Sequence, residues 1–338
     1  VEDIATAAGV STATVSRVLN KPDSVSQTLR DKVHAEVARL GYVPAGAARA
    51  LASNRSYTVG TVIPTLNNAI FAACIAAFEA TLTNNGYTLL VTVSNYDHVH
   101  EIEHVRRLLE RGVDALMLVG LDHHDDVWRL LETSKCPTAA IWGHNDNPQI
   151  PSFGFDNAGA AGHVVEHLVG LGHRHIGMVA GISRDNDRAR ARRRGVEAKL
   201  RKHGLPCEPS QFVEKPYSHQ DGRDGFRELL SRGDMPSAII CGNDVLAMGV
   251  MFEARDRGIL IPGNLSVVGF DNLPITEHLQ PALTTIDVPS AAIGTATAEA
   301  LLRHLSEGLP IASQVFRAPF LDRQTTAPPG RTWSMHSL

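Results

Sequence analysis

Polar side chains follow several predicted strands in the second part of the sequence, at the points where those strands end. Asn67 and Asn68 come after one apolar run, and Asn243 and Asp271 follow two later runs. The carboxyl ends of parallel strands meet at one edge of a sheet, so such amides and carboxylates could bind one small polar ligand. Each residue could equally cap a helix or form a turn, so only their repetition indicates a pocket. Possible stacking faces for a sugar are Phe71, Trp142, Phe155 and Tyr217.

Two other groups of residues could carry metal or nucleic-acid chemistry. His163, Glu166 and His167 spell H-x-x-E-H, which can bind zinc from one helix. Here the sequence lies in a predicted helix after a strand, where such positions face solvent. We expect the arginine run at 188–194 to cover the solvent face of a helix, with Arg192 alone turned to the pocket. No nucleotide-binding loop or nucleophile elbow occurs, so we predict no enzyme activity, catalytic residue, metal site or cofactor.

The first twenty residues predict two short helices joined by a tight turn. Their inward-facing apolar residues are Ile4, Ala5, Ala8, Val15, Val18 and Leu19. Gly9 can adopt the left-handed conformation that ends the first helix, and Ser11 can cap the second. The residues left facing outward are Thr12, Ala13, Ser16 and Arg17. This is the pattern of a helix-turn-helix whose second helix enters the major groove; an unrelated pair of crossing helices is the alternative.

The segments after the turn extend this interpretation. Ser26 is predicted to cap a third helix that ends near Leu40 and is closed by Gly41. The Ala-rich segment 45–53 has helical composition, but isolated helices shorter than about 12–15 residues are marginal in water. Its apolar Leu51 suits a minor-groove wedge that folds on DNA. The alternative is a flexible linker whose Leu51 packs on the next domain.

From Tyr57 onward, short apolar runs alternate with amphipathic helices in two successive series. This alternation predicts two lobes, each a parallel sheet with helices on both faces. The second series includes two consecutive helices, about 188–203 and 220–231, with no strand assigned between them. The chain is expected to cross between the lobes near Asp156, Ile286 and Val315. The tail lacks leucine heptads, so a dimer is the expected limit of assembly.

Composition agrees with a globular protein of two or three domains. The chain has 338 residues, of which 43% are hydrophobic and 20% charged, and its net charge is −4. Residues 1–58 nevertheless hold seven Lys and Arg against five Asp and Glu. No apolar run approaches the ~20 residues of a membrane helix, the first residues do not read as a signal peptide, and the four cysteines are far apart. We therefore expect a cytoplasmic protein without a membrane partner; because it begins at Val1 without Met, we expect a truncated chain.

In a series of sequence blocks the chain resembles the lactose/galactose repressor (LacI/GalR) family of bacterial transcription regulators. The blocks of the first part are DIA at 3–5, AGVS at 8–11, TVSRVLN at 14–20, LGYVP at 40–44 and ARAL at 48–51. Those of the second part are GHRHIG at 172–177, ND at 243–244, SVVGFD at 266–271, LTTI at 283–286 and RQTT at 323–326. They occur in the order and spacing of that family.

The resemblance implies a homodimer that binds operator DNA and a periplasmic-binding-protein-like domain that holds an effector between two lobes. It implies base-reading positions at Thr12 and Ala13, a base-contacting arginine at Arg17 and an intercalating leucine at Leu51. The predicted DNA-contacting residues are Ser11, Thr12, Ala13, Ser16, Arg17, Asn20, Ala48 and Leu51. The predicted effector-contacting residues are Asn68, Ile70, Phe71, Trp142, Phe155, Arg192, Tyr217, Asn243 and Asp271. Trp142 stands where many sugar-binding relatives have Asp, so we expect stacking to replace a hydroxyl contact there.

The predicted fold is therefore an all-α helix-turn-helix head followed by a two-lobed α/β domain. Its expected boundaries are a head at 1–44, a hinge at 45–56, an effector-binding domain at 57–330 and a tail at 331–338. Lobe 1 is expected at about 57–155 and 288–313, and lobe 2 at about 156–286 and 316–328. The predicted function is sequence-specific transcriptional regulation, with repression favoured, under control of a sugar or sugar acid. The alternative is a cytoplasmic solute-binding module or an enzyme that uses the same cleft.

Overall fold

The computed structural model describes residues 1–20, 24–42, 55–67, 69–144, 150–233 and 235–330. Contacts within the chain divide it into two compact units, Val1–Tyr57 and Thr58–Leu338. Of the predicted site residues, Ala48, Leu51 and Asn68 lie outside the described residues, as does the side chain of Asn20. Among the described residues, no helix combines the length and the apolar character needed to span a membrane.

The first unit contains three helices, α1 (Glu2–Ala8), α2 (Thr12–Asn20) and α3 (Gln27–Arg39). Gly9 ends α1 with a left-handed φ of 59°, and the Ser11 hydroxyl accepts a hydrogen bond from the Thr14 amide at 3.1 Å. The buried residues between the helices are Ile4, Ala5, Ala8, Val15, Val18 and Val33. The expected cap of α3 is wrong in one respect, because Ser26 occupies the N-cap position but its side chain makes no capping hydrogen bond.

Lobe 1 of the second unit contains a six-stranded parallel sheet in the order β11-β5-β4-β3-β1-β2. Its strands are β1 (Thr58–Ile63), β2 (Thr88–Val93), β3 (Ala115–Val119), β4 (Thr138–Trp142), β5 (Ser152–Gly154) and β11 (Gln314–Val315). The flanking helices are α4 (Ala69–Asn84), α5 (His98–Glu110), α6 (Asp125–Ser134) and α11 (Ser290–Glu307). Successive residues of β3 alternate between two apolar clusters: Leu116 joins the cluster with α5 and α6, while Met117 joins the cluster with α4 and α11. Helices therefore cover both faces.

Lobe 2 repeats this arrangement with a four-stranded parallel sheet in the order β7-β6-β8-β9. Its strands are β6 (Ile176–Gly181), β7 (Phe212–Lys215), β8 (Ala238–Cys241) and β9 (Ser266–Val268). The flanking helices are α7 (Asn157–Gly170), α8 (Asp187–Lys202), α9 (His219–Ser231) and α10 (Asp244–Asp256). Two lobes of parallel sheet with helices on both faces confirm the predicted fold class.

The chain passes between the lobes three times: after β5, after β10 (Thr285–Ile286) and between β11 and β12 (Phe320–Leu321). The second and third passages lie side by side, because β10 and β12 form an antiparallel pair. Three adjacent connections let two lobes change their mutual angle without separating.

The prediction of two consecutive helices at about 188–203 and 220–231 is wrong, because strand β7 lies between α8 and α9. It is a four-residue edge strand, in which Phe212 and Val213 are buried while Glu214 and Lys215 are half-buried. Such a strand has no extended apolar run, so periodicity alone does not reveal it. Tyr217 follows this strand by two residues.

Candidate functional site

The carboxyl ends of the two sheets face each other across a cleft. Asn157, at the start of α7, makes hydrogen bonds to residues of both lobes there. Its Nδ2 donates a hydrogen bond to the Trp142 carbonyl oxygen at the end of β4, at 2.8 Å. Its Oδ1 accepts a hydrogen bond from Arg192 Nε at 2.9 Å. A single buried amide therefore connects the end of a lobe 1 strand with a lobe 2 arginine.

Arg192 is at the centre of the lobe 2 side of the cleft. Besides Asn157, its Nη1 donates to the Gly242 carbonyl oxygen at 2.6 Å, and its guanidinium carbon lies 3.7 Å from the centroid of the Phe270 ring. These contacts use the guanidinium edge and one of its faces, and the side chain is only 8% exposed. The remaining Nη2 lies 3.5 Å from Asp271 Oδ1.

Asp271 places a buried carboxyl group beside Arg192. Within the described residues, neither of its side-chain oxygens has a hydrogen-bond partner. Burial raises the pKa of Asp271 to about 8; the nearby Arg192 charge lowers it in part, and Asp244 raises it further. Its φ of 111° is one that L-residues rarely adopt, so the backbone here is strained. Backbone strain together with a buried carboxyl that has an ion-pair contact but no hydrogen bond is typical of a binding site.

Two buried hydrogen-bond donors in the cleft are likewise unpartnered among the described residues. Asn243 caps α10 through its Oδ1, which accepts from the Leu246 amide at 2.9 Å, while its Nδ2 has no partner. Trp142 adopts a left-handed φ of 68°, and its Nε1 has no partner. A buried polar group without a hydrogen bond costs about 1–3 kcal/mol, so these atoms require an explanation.

Aromatic rings line the cleft from both lobes. Phe71 meets Trp142 edge to face at 5.0 Å, and Phe155 stacks on Phe270 at 6.0 Å. Tyr217 of lobe 2 faces Tyr96 of lobe 1 at 5.8 Å between ring centroids. Ile70 is buried in the same apolar cluster as Phe71. The rings supply flat apolar walls beside the polar centre.

The structure thus places Arg192, Asn243, Asp271 and Phe155 around one centre, with Trp142 and Phe71 joined to it through Asn157. Sequence position indicates Asn157 and Tyr96 only as polar residues at strand ends, without a specific contact, and it does not indicate Asn186 or Phe270. Asn157 and Tyr96 lie in polar stretches that follow strands, so position was the available signal. Asn186 donates to the Tyr217 hydroxyl at 3.2 Å. Its partnership with Tyr217 has no sequence signal, because it depends on the unrecognised β7.

The expectation that Arg192 alone of the arginine run faces the cleft is wrong. Arg188 is buried, and its Nη1 donates to the carbonyl oxygen of Val119 in lobe 1 at 3.2 Å. Arg190 pairs with Asp122 of lobe 1. The start of α8, which Asn186 caps, therefore faces lobe 1 at the rim of the cleft.

The H-x-x-E-H residues have other partners. The Glu166 carboxylate accepts hydrogen bonds from Lys199 Nζ at 2.8 Å and from His203 Nε2 at 2.6 Å, and these contacts lower its pKa to about 2. The His163 and His167 rings both contact Phe320. The carboxylate of the motif therefore contacts Lys199 and His203, whereas its two imidazole rings pack against Phe320.

On the first unit, α2 presents a polar surface to solvent. Its exposed residues include Thr12, Ala13, Ser16 and Arg17, and Ser11 at the turn is exposed as well. The residues that alternate with them, Val15 and Val18, are buried against α1 and α3. This surface carries several small side chains, which allow a helix to approach base edges closely.

A helix-turn-helix unit followed by a two-lobed unit with a polar cleft is the organisation of ligand-responsive DNA-binding regulators. Residues 1–45 match the profile of bacterial regulatory proteins of the lacI family, and residues 165–326 match that of a periplasmic binding protein-like domain. Over 305 residues the chain is 31% identical to catabolite control protein A of Priestia megaterium, which covers 90% of this chain and 92% of the relative. Over 295 residues it is 30% identical to the HTH-type transcriptional repressor CytR of Escherichia coli strain K12, which covers 87% and 86%.

A solved structure shares the whole architecture. The lac repressor dimer bound to operator and the anti-inducer ONPF superimposes with a TM-score of 0.85 at 27% identity, over 96% of this chain and 98% of that one. The chain belongs to the lacI family of bacterial regulatory proteins. It is a DNA-binding transcriptional regulator and not an enzyme, so the predictions of family, fold class and regulatory function are confirmed.

Proposed function

We propose that this protein is a repressor whose affinity for its operator is controlled by a neutral sugar bound between the lobes. The observation that carries the proposal is the set of buried polar atoms without partners in the cleft: Trp142 Nε1, Asn243 Nδ2 and both oxygens of Asp271. Two donors and one carboxyl group buried at the strand ends of the two lobes are matched by hydroxyl groups, which both donate and accept. The aromatic walls add stacking faces for a sugar ring.

The charges in the cleft favour a neutral ligand over a sugar acid. Arg192 is the buried cation at the centre, and it already faces Asp271, its hydrogen bonds to Asn157 and Gly242 being made elsewhere. A ligand carboxylate would lie beside the Asp271 carboxyl and would raise the cost of its ionisation further. Hydroxyl donors instead satisfy the Asp271 oxygens.

We assign DNA contacts to Ser11, Thr12, Ala13, Ser16, Arg17 and Asn20 of the head, and to Ala48 and Leu51 of the following segment. In this proposal residues 1–44 form the head, 45–56 the hinge and 57–330 the effector-binding domain. The ligand changes the angle between the lobes and so the spacing of two hinge segments in a dimer, which alters operator affinity. Such a regulator acts in the cytoplasm, where operator DNA is present.

The function is tested by two measurements on the full chain. Selection from a random duplex library should return a pseudo-palindromic sequence, and titration calorimetry against neutral sugars and the corresponding sugar acids should identify the ligand. A sugar that binds and also changes the affinity for the selected duplex supports the proposal. Binding of sugar acids in preference to every neutral sugar would overturn the neutral-ligand part, and failure to enrich any duplex would overturn the DNA-binding part.

We further propose that the active form is a homodimer joined through an apolar groove on lobe 2. The groove is lined by Phe252, Leu260, Ile261 and Leu279, and Leu260 is 67% exposed. Contiguous exposed apolar surface of this kind marks interaction sites. The occupant is a second copy of the chain, since the similar lac repressor was solved as a dimer on operator.

Leu260→Glu tests this interface. Because the substitution introduces a charge at an apolar contact, we expect sedimentation equilibrium to shift from dimer to monomer and affinity for the selected duplex to fall about tenfold or more. Leu309→Glu is the matched control, since Leu309 is 49% exposed and lies outside the groove. A Leu260→Glu protein that stays dimeric would rule out this face.

A further inference from the structure

The main chain at Asp271 is hydrogen-bonded to the segments that connect the two lobes. The Asp271 amide donates to the carbonyl oxygen of Ile286, the last residue of β10, at 2.9 Å. Asp271 and Asp287 form an isolated parallel bridge, and Asp287 is the first residue of the second passage after β10. The Asp287 amide donates in turn to the Pro319 carbonyl oxygen in the third passage at 2.8 Å. The backbone that carries the Asp271 carboxyl is therefore attached to both passages.

The side chain of the next residue, Asn272, adds a second attachment to the same passages. Its Nδ2 donates to Asp287 Oδ1 at 2.9 Å, and its Oδ1 accepts from Arg323 Nη2 at 2.7 Å. Arg323 follows β12 by two residues, and its Nη1 is fixed by the Leu283 carbonyl oxygen and the Thr276 hydroxyl, each at 3.0 Å. We call the two hydrogen bonds of the Asn272 amide the passage clamp. It joins the chain that leaves lobe 2 to the chain that returns to it.

A turn-forming role alone does not account for Asn272. Asparagine is common at positive φ because its short polar side chain can hydrogen-bond nearby backbone groups. The clamp instead joins Asn272 to residues 15 and 51 positions further along the chain. Its contacts therefore hold separate segments of the fold together.

The backbone conformation links this clamp to the cleft. Asp271 and Asn272 have successive positive φ values of 111° and 57°. Sparsely populated backbone conformations persist only where the surrounding structure restrains them. The passage clamp supplies such a restraint directly beside Asp271, whose carboxyl oxygens have no hydrogen-bond partner among the described residues. The carboxyl position thus depends on where the passages lie.

We propose that Asn272 couples the effector site to the passages: the passage clamp makes the position of the Asp271 carboxyl group and the angle between the lobes change together. This inference rests on the function proposed above and names the residue through which the site acts on the lobe angle. Asn272 is a positioning residue, because it acts through Asp271. A ligand that moves the Asp271 carboxyl then shifts the balance between lobe arrangements.

Asn272→Asp breaks the clamp with little change of shape. The introduced carboxylate still accepts from Arg323, but it meets the Asp287 carboxylate without an amide donor between them. Aspartate also tolerates a positive φ, so the backbone preference is kept. Adding Asp287→Asn restores the hydrogen bond in the reverse direction, since its amide donates to the introduced carboxylate. Asp287→Ala removes the same bond from the passage side and serves as a second broken-clamp variant.

The test measures the distance between the lobes in the full chain without DNA or effector. Nitroxide labels at Thr83→Cys on α4 and Ser231→Cys on α9 report this distance by double electron–electron resonance. The background is Cys136→Ser, Cys207→Ser, and an excess of unlabelled chain leaves one labelled copy per dimer. The quantity compared is the ratio of short to long distances between the labels.

Asp271→Asn supplies the change at the effector site, because it replaces the carboxyl that faces Arg192 by an amide of the same shape. With the clamp intact, we expect this substitution to change the distance ratio about fivefold, the lower end of typical couplings between sites. With Asn272→Asp or Asp287→Ala also present, the change should fall below about twofold. The reversed clamp, Asn272→Asp with Asp287→Asn, should restore the change to about fivefold.

Gln220→Glu is the matched control. Gln220 Nε2 donates to Asp224 Oδ1 at 3.0 Å within α9, so the substitution creates the same pair of carboxylates away from the passages. Its response to Asp271→Asn should equal that of the wild-type background. The proposal is overturned if Asp271→Asn leaves the ratio unchanged with the clamp intact, if the broken-clamp variants respond fully, or if the reversed clamp does not restore the response. Neither ligand nor DNA enters the experiment, so its failure would leave the proposed function standing.

Discussion

Polar groups at the rim of the cleft have partners in the opposite lobe, whereas several polar groups in its interior have no hydrogen-bond partner among the described residues. At the rim, Asp187, Arg188 and Arg190 all have partners in the other lobe. In the interior, Asp271 and the Asn243 amide nitrogen are more deeply buried but have no hydrogen-bond partner among the described residues. Lobe-to-lobe contacts thus complete the rim but not the interior.

This difference separates two properties of one cleft. Interior groups are not satisfied by contact between the lobes and can hydrogen-bond a ligand, so they should determine affinity and specificity. Rim groups gain theirs when the lobes meet, so they should set the balance between open and closed forms. A ligand shifts a conformational equilibrium only by its differential affinity for the two forms. Variants of the two regions should therefore differ in size and kind of effect.

The largest effect is expected in the interior. Asp271→Ala removes the buried oxygens that ligand hydroxyl groups would meet and takes away the carboxyl group that faces Arg192; deleting one member of such a buried polar set costs about 2–5 kcal/mol. Effector affinity should fall at least about 30-fold by calorimetry, while the selected duplex is still bound. Arg193→Ala is the control, because the Arg193 guanidinium pairs with Glu197 and Glu214 instead. Unchanged affinity in the Asp271→Ala protein would remove Asp271 from the site.

A smaller effect is expected at the rim. A Cβ atom at Gly120 would lie 2.0 Å from Arg188 Nη1 and 2.6 Å from Asp187 Oδ1, so Gly120→Ala should push these two side chains off their partners in lobe 1, Val119 and Leu121. Effector affinity should fall about tenfold, since the binding-competent closed form is less populated. The control is Gly112→Ala, because Gly112 also has a positive φ, 69° against 93°, but no atom near its Cβ position. Equal losses in both proteins would mean that backbone strain alone is responsible.

Sequence reasoning reached the fold and part of the interior because both have local signals. Alternating apolar runs gave the parallel sheets, and strand-end positions gave Asn243 and Asp271. The polar centre also needs Asn157, whose amide is shared between Trp142 and Arg192. A strand-end Asn is usually a cap or a turn, so its role could not be read without the partners that the fold brings to it.

The rim was missed for a different reason. Arg188 and Arg190 lie in a run that resembles an ordinary solvated helix face. Their partners are more than 60 residues away along the chain. Contacts between lobes depend on the relative placement of two sheets, which periodicity within either lobe does not encode. Tyr217 is among the predicted effector contacts, but its hydrogen bond with Asn186 depends on the edge strand β7 and has no local signal.

The smallest predicted effect concerns stability and isolates the electrostatic cost of the interior. Burial raises the Asp271 pKa from an ordinary value of 3.8 to about 8, so the folded state binds this proton more tightly than the unfolded chain. The stability contribution of this group is complete below the unfolded pKa and is lost as pH rises toward about 8. Asp271→Asn should therefore melt above wild type by a margin that grows from pH 4 to pH 8 and reaches at least about 2–4 °C, the shift that about 1 kcal/mol produces in a domain of this size. Glu277→Gln, at a carboxylate that is 58% exposed, should show no such growth of the melting difference with pH.

Calorimetric melting of the ligand-free chain between pH 4 and pH 8 tests this prediction. A melting difference that stays constant with pH would mean that ionisation of the interior carboxyl has no cost in stability. The interior and the rim would then not differ in the way proposed.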